Sequence, residues 1–226
     1  MNTVSLVTGG NRGIGREVGR QLAGLGHAVV LTARSAGAAQ EAAAAVGAEP
    51  LRLDVADTAS VAESARWVGE RYGKLDVLVN NAAINYDTWQ DAITADLAMV
   101  RETAETNLYG PWMMVQAFLP LLRASEHGRI VNVSSQVASL ETMGGGTPAY
   151  SASKVALNAL TRMLAAELRS DGILVNAICP GWVATDMGGP GGRPVAQGAA
   201  SVVWGATLPD SGPTGGFFQD GRRLSW

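Results

Sequence analysis

The chain has 226 residues, 47% hydrophobic and 16% charged, with a net charge of −3 and no basic run, which excludes an electrostatic footprint for nucleic acid or an anionic membrane surface. No apolar run reaches the roughly 18 residues of a membrane span, and the lone Cys179 permits no internal disulfide. The first residues enter a strand without a basic region or cleavage pattern, so a cytoplasmic, single-domain protein over residues 1–226 is expected.

Residues 4–8 are an apolar run of the kind buried on both faces of a sheet, and a helix is predicted over 14–25. A strand at 27–33 and an Ala-rich helix at 36–46 follow, then a strand at 51–54, a helix at 58–72 and a strand at 75–79. Residues 94–122 are predicted to be mostly helical, with Pro111 and Pro120 bending or interrupting them. The remaining elements are a strand at 129–133, a helix at 149–169, a strand at 173–179, a helix at 195–208 and a short strand at 216–219. No repeat or linker divides the chain. The alternation predicts an α/β fold, a single Rossmann-type doubly wound parallel sheet with helices on both faces. Ligands of such sheets lie at the carboxyl ends of the strands.

The unusual residues fall at those ends. Between the first strand and first helix, Gly9, Gly13 and Gly15 let the backbone turn sharply and approach a pyrophosphate. The helix N-terminus then presents free amides and a partial positive charge to it. The second strand ends at Arg34, without the carboxylate that bonds the ribose 2′-hydroxyl of NAD. Arg34 and Arg12 offer guanidinium groups suited to a 2′-phosphate, so NADP(H) is the expected cofactor. Tyr150 and Lys154, four residues apart, share a helix face. A phenol titrates near ~10; a neighbouring ammonium lowers that value and makes the pair a candidate acid/base.

Residues 8–15, Asn80 to Ala83, Ser134 and Ser135, Tyr150 to Lys154, and Pro180 and Gly181 resemble, in order, the motifs of the short-chain dehydrogenase/reductase family. The resemblance covers essentially the whole chain. Residues 179–187 and 215–226 look like its NADPH-dependent carbonyl reductase branch. This resemblance implies reduction of a small or medium, mostly apolar ketone or aldehyde, with hydride transfer from the pro-S face. It implies that Tyr150 donates the proton, that Lys154 lowers the tyrosine's pKa and bonds the nicotinamide ribose, and that Ser135 holds the substrate carbonyl. Asn107 matches the asparagine that completes a proton relay. Gly9, Asn11, Arg12, Gly13, Ile14 and Gly15 match the cofactor turn. Asp54 and Val55 match the adenine contacts, and Asn80 and Ala82 lie beside the ribose. Pro180, Gly181, Val183 and Thr185 match the nicotinamide end, with Thr185 on the carboxamide.

Gln136 and Trp182 are expected in the substrate pocket, with Met143, Met187 and Trp89 as further candidates. Two other readings remain open: an NAD-dependent alcohol dehydrogenase, against which Arg34 weighs, and a non-catalytic dinucleotide-sensing module, against which the intact set Asn107, Ser135, Tyr150 and Lys154 weighs. The chain departs from the family pattern at Ala83, where glycine is usual. It lacks the long insertion that keeps some animal carbonyl reductases monomeric, so a homodimer or homotetramer is expected. The short glycine-rich stretch 186–194 predicts an open pocket or a mobile lid. Cys179 reads as a buried structural thiol. His27 and His127 lack metal-ligand spacing, and no metal site is expected. Trp112, Met113 and Met114 read as core or subunit contacts.

Overall fold

The computed structural model describes residues 2–226. Strand β1 (Val4–Val7) is buried at every position, and its side chains alternate between two cores. Val4 and Leu6 face the cluster that holds Phe118, Leu157 and Leu160; Val7 faces the one that holds Val18, Leu22 and Val202. This two-sided burial is why the strands read as continuous apolar runs.

Around β1 are helix α1 (Gly13–Gly24), β2 (Ala28–Ala33), α2 (Ala36–Val46), β3 (Glu49–Arg52), α3 (Thr58–Tyr72) and β4 (Val77–Asn80). The second half comprises α4 (Leu97–Ala104), α5 (Gly110–Arg123), β5 (Arg129–Val133), α6 (Pro148–Glu167), β6 (Leu174–Ile178), α7 (Val195–Ala206), β7 (Phe217–Gln219) and β8 (Arg222–Arg223). The sheet order is β3-β2-β1-β4-β5-β6-β7-β8. All pairs are parallel except the final hairpin of β7 with β8. The strand order reverses between β1 and β4, which opens the crevice where such sheets take ligands.

Helix ends follow their local sequence. Ser35 accepts from the Ala38 amide and Asp57 from those of Ala59 and Ser60, while Gly47 and Gly73 end α2 and α3 in the left-handed conformation. The predicted helix over 94–122 differs. It starts after the Asp96 cap, and it changes to a π turn over Glu105–Tyr109 before resuming as α5. Pro111 stands directly after the π turn, in the first turn of α5, where it has no N–H to offer the Asn107 carbonyl; Pro120 sits inside α5 without interrupting it. Strand β3 begins at Glu49, two residues before the prediction, because its register on β2 starts at Val30. β8 was not anticipated, since two exposed arginines carry no strand pattern. No helix is long and apolar enough to cross a membrane, among the described residues.

Candidate active site

The carboxyl ends of the central strands open onto one cleft of about 770 Å³. Its floor is the glycine turn. Gly9 and Gly13 have φ of 63° and 52°, and a Cβ on Gly15 would lie 2.4 Å from the Gly9 carbonyl oxygen. Only glycine fits this approach. The Asn81 amide group donates to the carbonyls of Thr8 (2.9 Å) and Gly9 (3.2 Å), and the Thr8 hydroxyl accepts from the Asn81 and Ala82 backbone amides at 2.9 and 3.0 Å. The end of β4 is thereby fastened to the turn. The capping residue of α1, Arg12, makes no side-chain cap, so the first amides of the helix stay free for an anion.

Three arginines line one end of the cleft: Arg12, Arg34 and Arg16. Arg16 was missed from the sequence, although its place directly after Gly15 in the first helical turn was a usable signal. Arg12 pairs with Asp186 across the cleft at 2.9 Å, both side chains well exposed. Arg34 makes no ion pair among the described residues. Asn11, Ile14, Asp54, Val55, Ala82, Pro180 and Thr185 also line the cleft as expected. Asp54 accepts from the Ala56 amide at 3.0 Å, which fixes its turn. A glycine-shaped cradle beside an unpaired guanidinium suits a dinucleotide carrying an additional phosphate.

Tyr150 and Lys154 line the same cleft from one face of α6, both buried. The Lys154 ammonium donates to the Val133 carbonyl at 2.7 Å and lies 5.5 Å from the tyrosine ring centre. The expected lowering of the phenol pKa is not found. Burial pushes Tyr150 up, with smaller contributions from Cys179 and Tyr86, and burial pushes Lys154 down to about 8. Desolvation moves each group towards its neutral form.

A lysine whose folded pKa lies below its unfolded value costs stability where it is charged. The unfolded chain holds that proton more tightly, so stability should rise between pH 8 and 10, the window bounded by Lys154 and an unfolded tyrosine. Above it, the protonated phenol reverses the trend. Urea unfolding across this window should show a gain of about 2 kcal/mol that is missing in Lys154→Met.

The paired serines separate clearly. Ser134 lines the cleft, yet its hydroxyl is buried and donates to Asn158 at 2.7 Å; Ser135, the expected substrate contact, is not among the lining residues. The Ser135 hydroxyl has no protein partner among the described residues, and its backbone is extended.

Several expected cleft residues lie elsewhere. Asn80 turns into the sheet and donates to Asn132 at 2.9 Å, because its strand position is buried on both faces; Asn81 takes its place in the cleft. Asn107 sits fully buried in the π turn. Its side chain grips the Ile84 amide (2.9 Å) and carbonyl (3.1 Å) and donates to Ser153 (3.1 Å). Gln136 and Met143 line a separate cavity of about 630 Å³, beside the tail residues Arg223 to Ser225. Trp182 is 64% exposed, and its indole N–H donates to the Gly188 carbonyl at 2.7 Å, so it packs on the neighbouring loop and not in the cleft. Trp89 is exposed and lines neither cavity, whereas Met187 does reach the cleft.

The loop after β6 is tied by its own backbone bonds. It folds on itself through Arg193 N–H to the Trp182 carbonyl (2.8 Å), Ala184 N–H to the Arg193 carbonyl (3.0 Å) and Gly189 N–H to the Thr185 carbonyl (2.8 Å). The Arg193 guanidinium forks onto Asp220 at 2.7 Å. Its glycines serve close packing: a Cβ on Gly188 would lie 2.3 Å from the Val183 carbonyl. Gly181 and buried Val183 support this loop and do not line the cleft. Cys179 is buried, as expected. His27 contacts Ser5, and His127 contacts Asp210.

Comparison with known proteins matches the short chain dehydrogenase family model over residues 3–193. The (+)-neomenthol dehydrogenase of Arabidopsis thaliana is 36% identical over 95% of this chain and 95% of its own length. Carbonyl reductase [NADPH] 1 of Sus scrofa is 34% identical over 99% of this chain and 94% of its own. These alignments span 282 and 278 positions, more than the 226 residues here, so both relatives carry segments this chain lacks. Among solved structures, NADPH-bound carbonyl reductase from chicken fatty liver superposes with a TM-score of 0.89 at 31% identity, covering 100% of this chain and 99% of the other. Salutaridine reductase from Papaver somniferum gives 0.85 at 29% identity, covering 97% and 100%. The motifs, the sheet order and this end-to-end similarity agree: the chain belongs to the short chain dehydrogenase family.

Proposed function

We propose that this protein is an NADPH-dependent oxidoreductase that reduces a ketone or aldehyde to an alcohol, with Tyr150 as the proton donor. One observation carries the reading: Tyr150 and Lys154 line the same cleft as the glycine turn and Arg34. The carbonyl reductase relatives support the direction and the cofactor.

When bound, the cofactor supplies the hydride. The chain's own residues do the rest. The turn from Gly9 to Gly15 and the amides of α1 would hold the pyrophosphate, and Arg34, Arg12 and Arg16 the 2′-phosphate. Asp54 and Val55 would hold the adenine, Asn81 and Ala82 the ribose, and Pro180 and Thr185 the nicotinamide. The unpartnered Ser135 hydroxyl donates to the substrate carbonyl and orients it. Tyr150, held protonated by burial at neutral pH, gives its proton to the carbonyl oxygen as the hydride arrives. Lys154, which donates to the Val133 carbonyl, would be the residue to bond the ribose hydroxyls. Asn107, its side chain committed to Ile84 and Ser153, contributes through the backbone of its π turn. NADPH oxidation measured with a panel of ketones and aldehydes tests the reading; failure to turn over any of them in either direction overturns it.

The same reading includes self-association. Tyr109, Trp112 and Met163 leave aromatic and thioether surface exposed on the α5 and α6 side. A homodimer or homotetramer is the expected species in light scattering; a clean monomer of 23.4 kDa contradicts it.

A further inference from the structure

We propose that Asp87 is a positioning residue for Tyr150, holding the first turn of the catalytic helix from a loop 62 residues upstream. The inference rests on the role given to Tyr150 above. Asp87 is fully buried, a costly place for a carboxylate, and no ion pair reaches it among the described residues. Its compensation is the N-terminus of α6. One carboxylate oxygen accepts from the Ala149 amide at 2.9 Å and the other from the amide of Tyr150 itself at 3.1 Å. Gln90 donates to the carboxylate at 3.2 Å and braces it from behind.

The helix has no other provision at this end. Its N-cap, Thr147, is in the left-handed region with φ 47° and makes no capping bond. Its hydroxyl pairs with Ser151 instead, at 2.8 Å. Pro148 has no N–H to satisfy. The Ala149 and Tyr150 amides are therefore the free donors of the first turn, and Asp87 takes both.

The loop that carries Asp87 also grips the rest of the catalytic set. Tyr86 meets the Tyr150 ring edge-on, with ring centres 5.2 Å apart and planes at 88°. Ile84 is clamped through both backbone groups by Asn107. Residues 84–87 thus join the π turn to the start of α6 and set where the phenol stands relative to Ser135. A displacement near 1 Å at a reacting group costs up to about a hundredfold in rate.

The test compares Asp87→Asn in two backgrounds, the natural chain and Tyr150→Phe. Asn keeps the shape but replaces one acceptor with a donor aimed at an amide. With Tyr150 present, kcat should fall about tenfold, while NADPH affinity, read by fluorescence titration, stays within about twofold of the unaltered protein's because the glycine turn is untouched. In the Tyr150→Phe background, the residual rate should not fall further, since Asp87 acts through the phenol. A folded Asp87→Asn protein with unchanged kcat overturns the proposal, as do equal losses in both backgrounds, which would mark a merely structural cap. If Asp87→Asn does not fold, Asp87→Glu moves the carboxylate by one methylene and is read the same way; an unchanged kcat there overturns it too. If the unaltered protein reduces no carbonyl compound, the proposed function fails and this inference with it. An active parent with an unaffected Asp87 variant fails the inference alone.

Discussion

Tyr150→Phe is expected to lower kcat for carbonyl reduction by about a thousandfold, within the range for loss of a positioned general acid, and to leave NADPH affinity nearly unchanged. The substitution removes one oxygen from a residue that is already buried and packed. The ring contact with Tyr86 and the Asp87 bond to the Tyr150 amide both survive it, because neither uses the hydroxyl. The loss should therefore fall on the chemical step alone. Equilibrium binding of NADPH and steady-state rates on one substrate separate the two quantities. A large loss of cofactor binding would contradict the role assigned, since the Tyr150 hydroxyl is no part of the glycine turn or of the arginines that line the cleft.

Arg34→Asp is expected to reverse the cofactor preference. Hydrogen bonds to charged groups contribute about 1.5–3 kcal/mol each. Removing the guanidinium should cost NADPH roughly a hundredfold in kcat/KM, and the new carboxylate repels the 2′-phosphate further. The same carboxylate can accept from the 2′-hydroxyl of NADH, which should gain. Arg34 is the position to choose because it has no competing ion pair, whereas Arg12 is shared with Asp186. A preference for NADH in the unaltered protein would refute the arginine argument outright.

Much of this fold is legible in the sequence because the sheet is buried on both faces. An unbroken apolar run such as Ala28 to Leu31, flanked by helical patterns, fits little but a strand covered on both sides. The glycine turn is legible for a related reason: the positive φ of Gly9 and Gly13 and the 2.4 Å approach at Gly15 demand that residue type. Other features depend on tertiary contacts that leave no local trace. The π turn at Asn107 coincides with a side-chain grip on Ile84, 23 positions away, a contact with no trace in the local sequence. Asn80 and Asn81 are identical residue types in adjacent positions, and only the pleat decides which one reaches the cleft. Trp182 followed a promising Pro-Gly pair but found a partner in Gly188, on a loop whose internal bonds are invisible beforehand. Asp87 carried no signal at all, since its partners are backbone amides in another element.

The direction of the Tyr150 shift also has a physical lesson. Spacing on a helix places a phenol beside an ammonium, but it says nothing of the water around them. Both groups are buried here, and desolvation moves each towards its neutral form. A protonated Tyr150 at neutral pH is the form required to reduce a carbonyl compound.

The most direct test of the whole account follows the hydride itself. The protein would be incubated with a ketone it consumes and with NADPH deuterated at the pro-S position of the nicotinamide ring, and the product examined by mass spectrometry. The account predicts an alcohol with one deuterium on its carbinol carbon, and an unlabelled alcohol when the label is at the pro-R position. Reduction without deuterium from either position, or no reduction of any ketone or aldehyde, would contradict it.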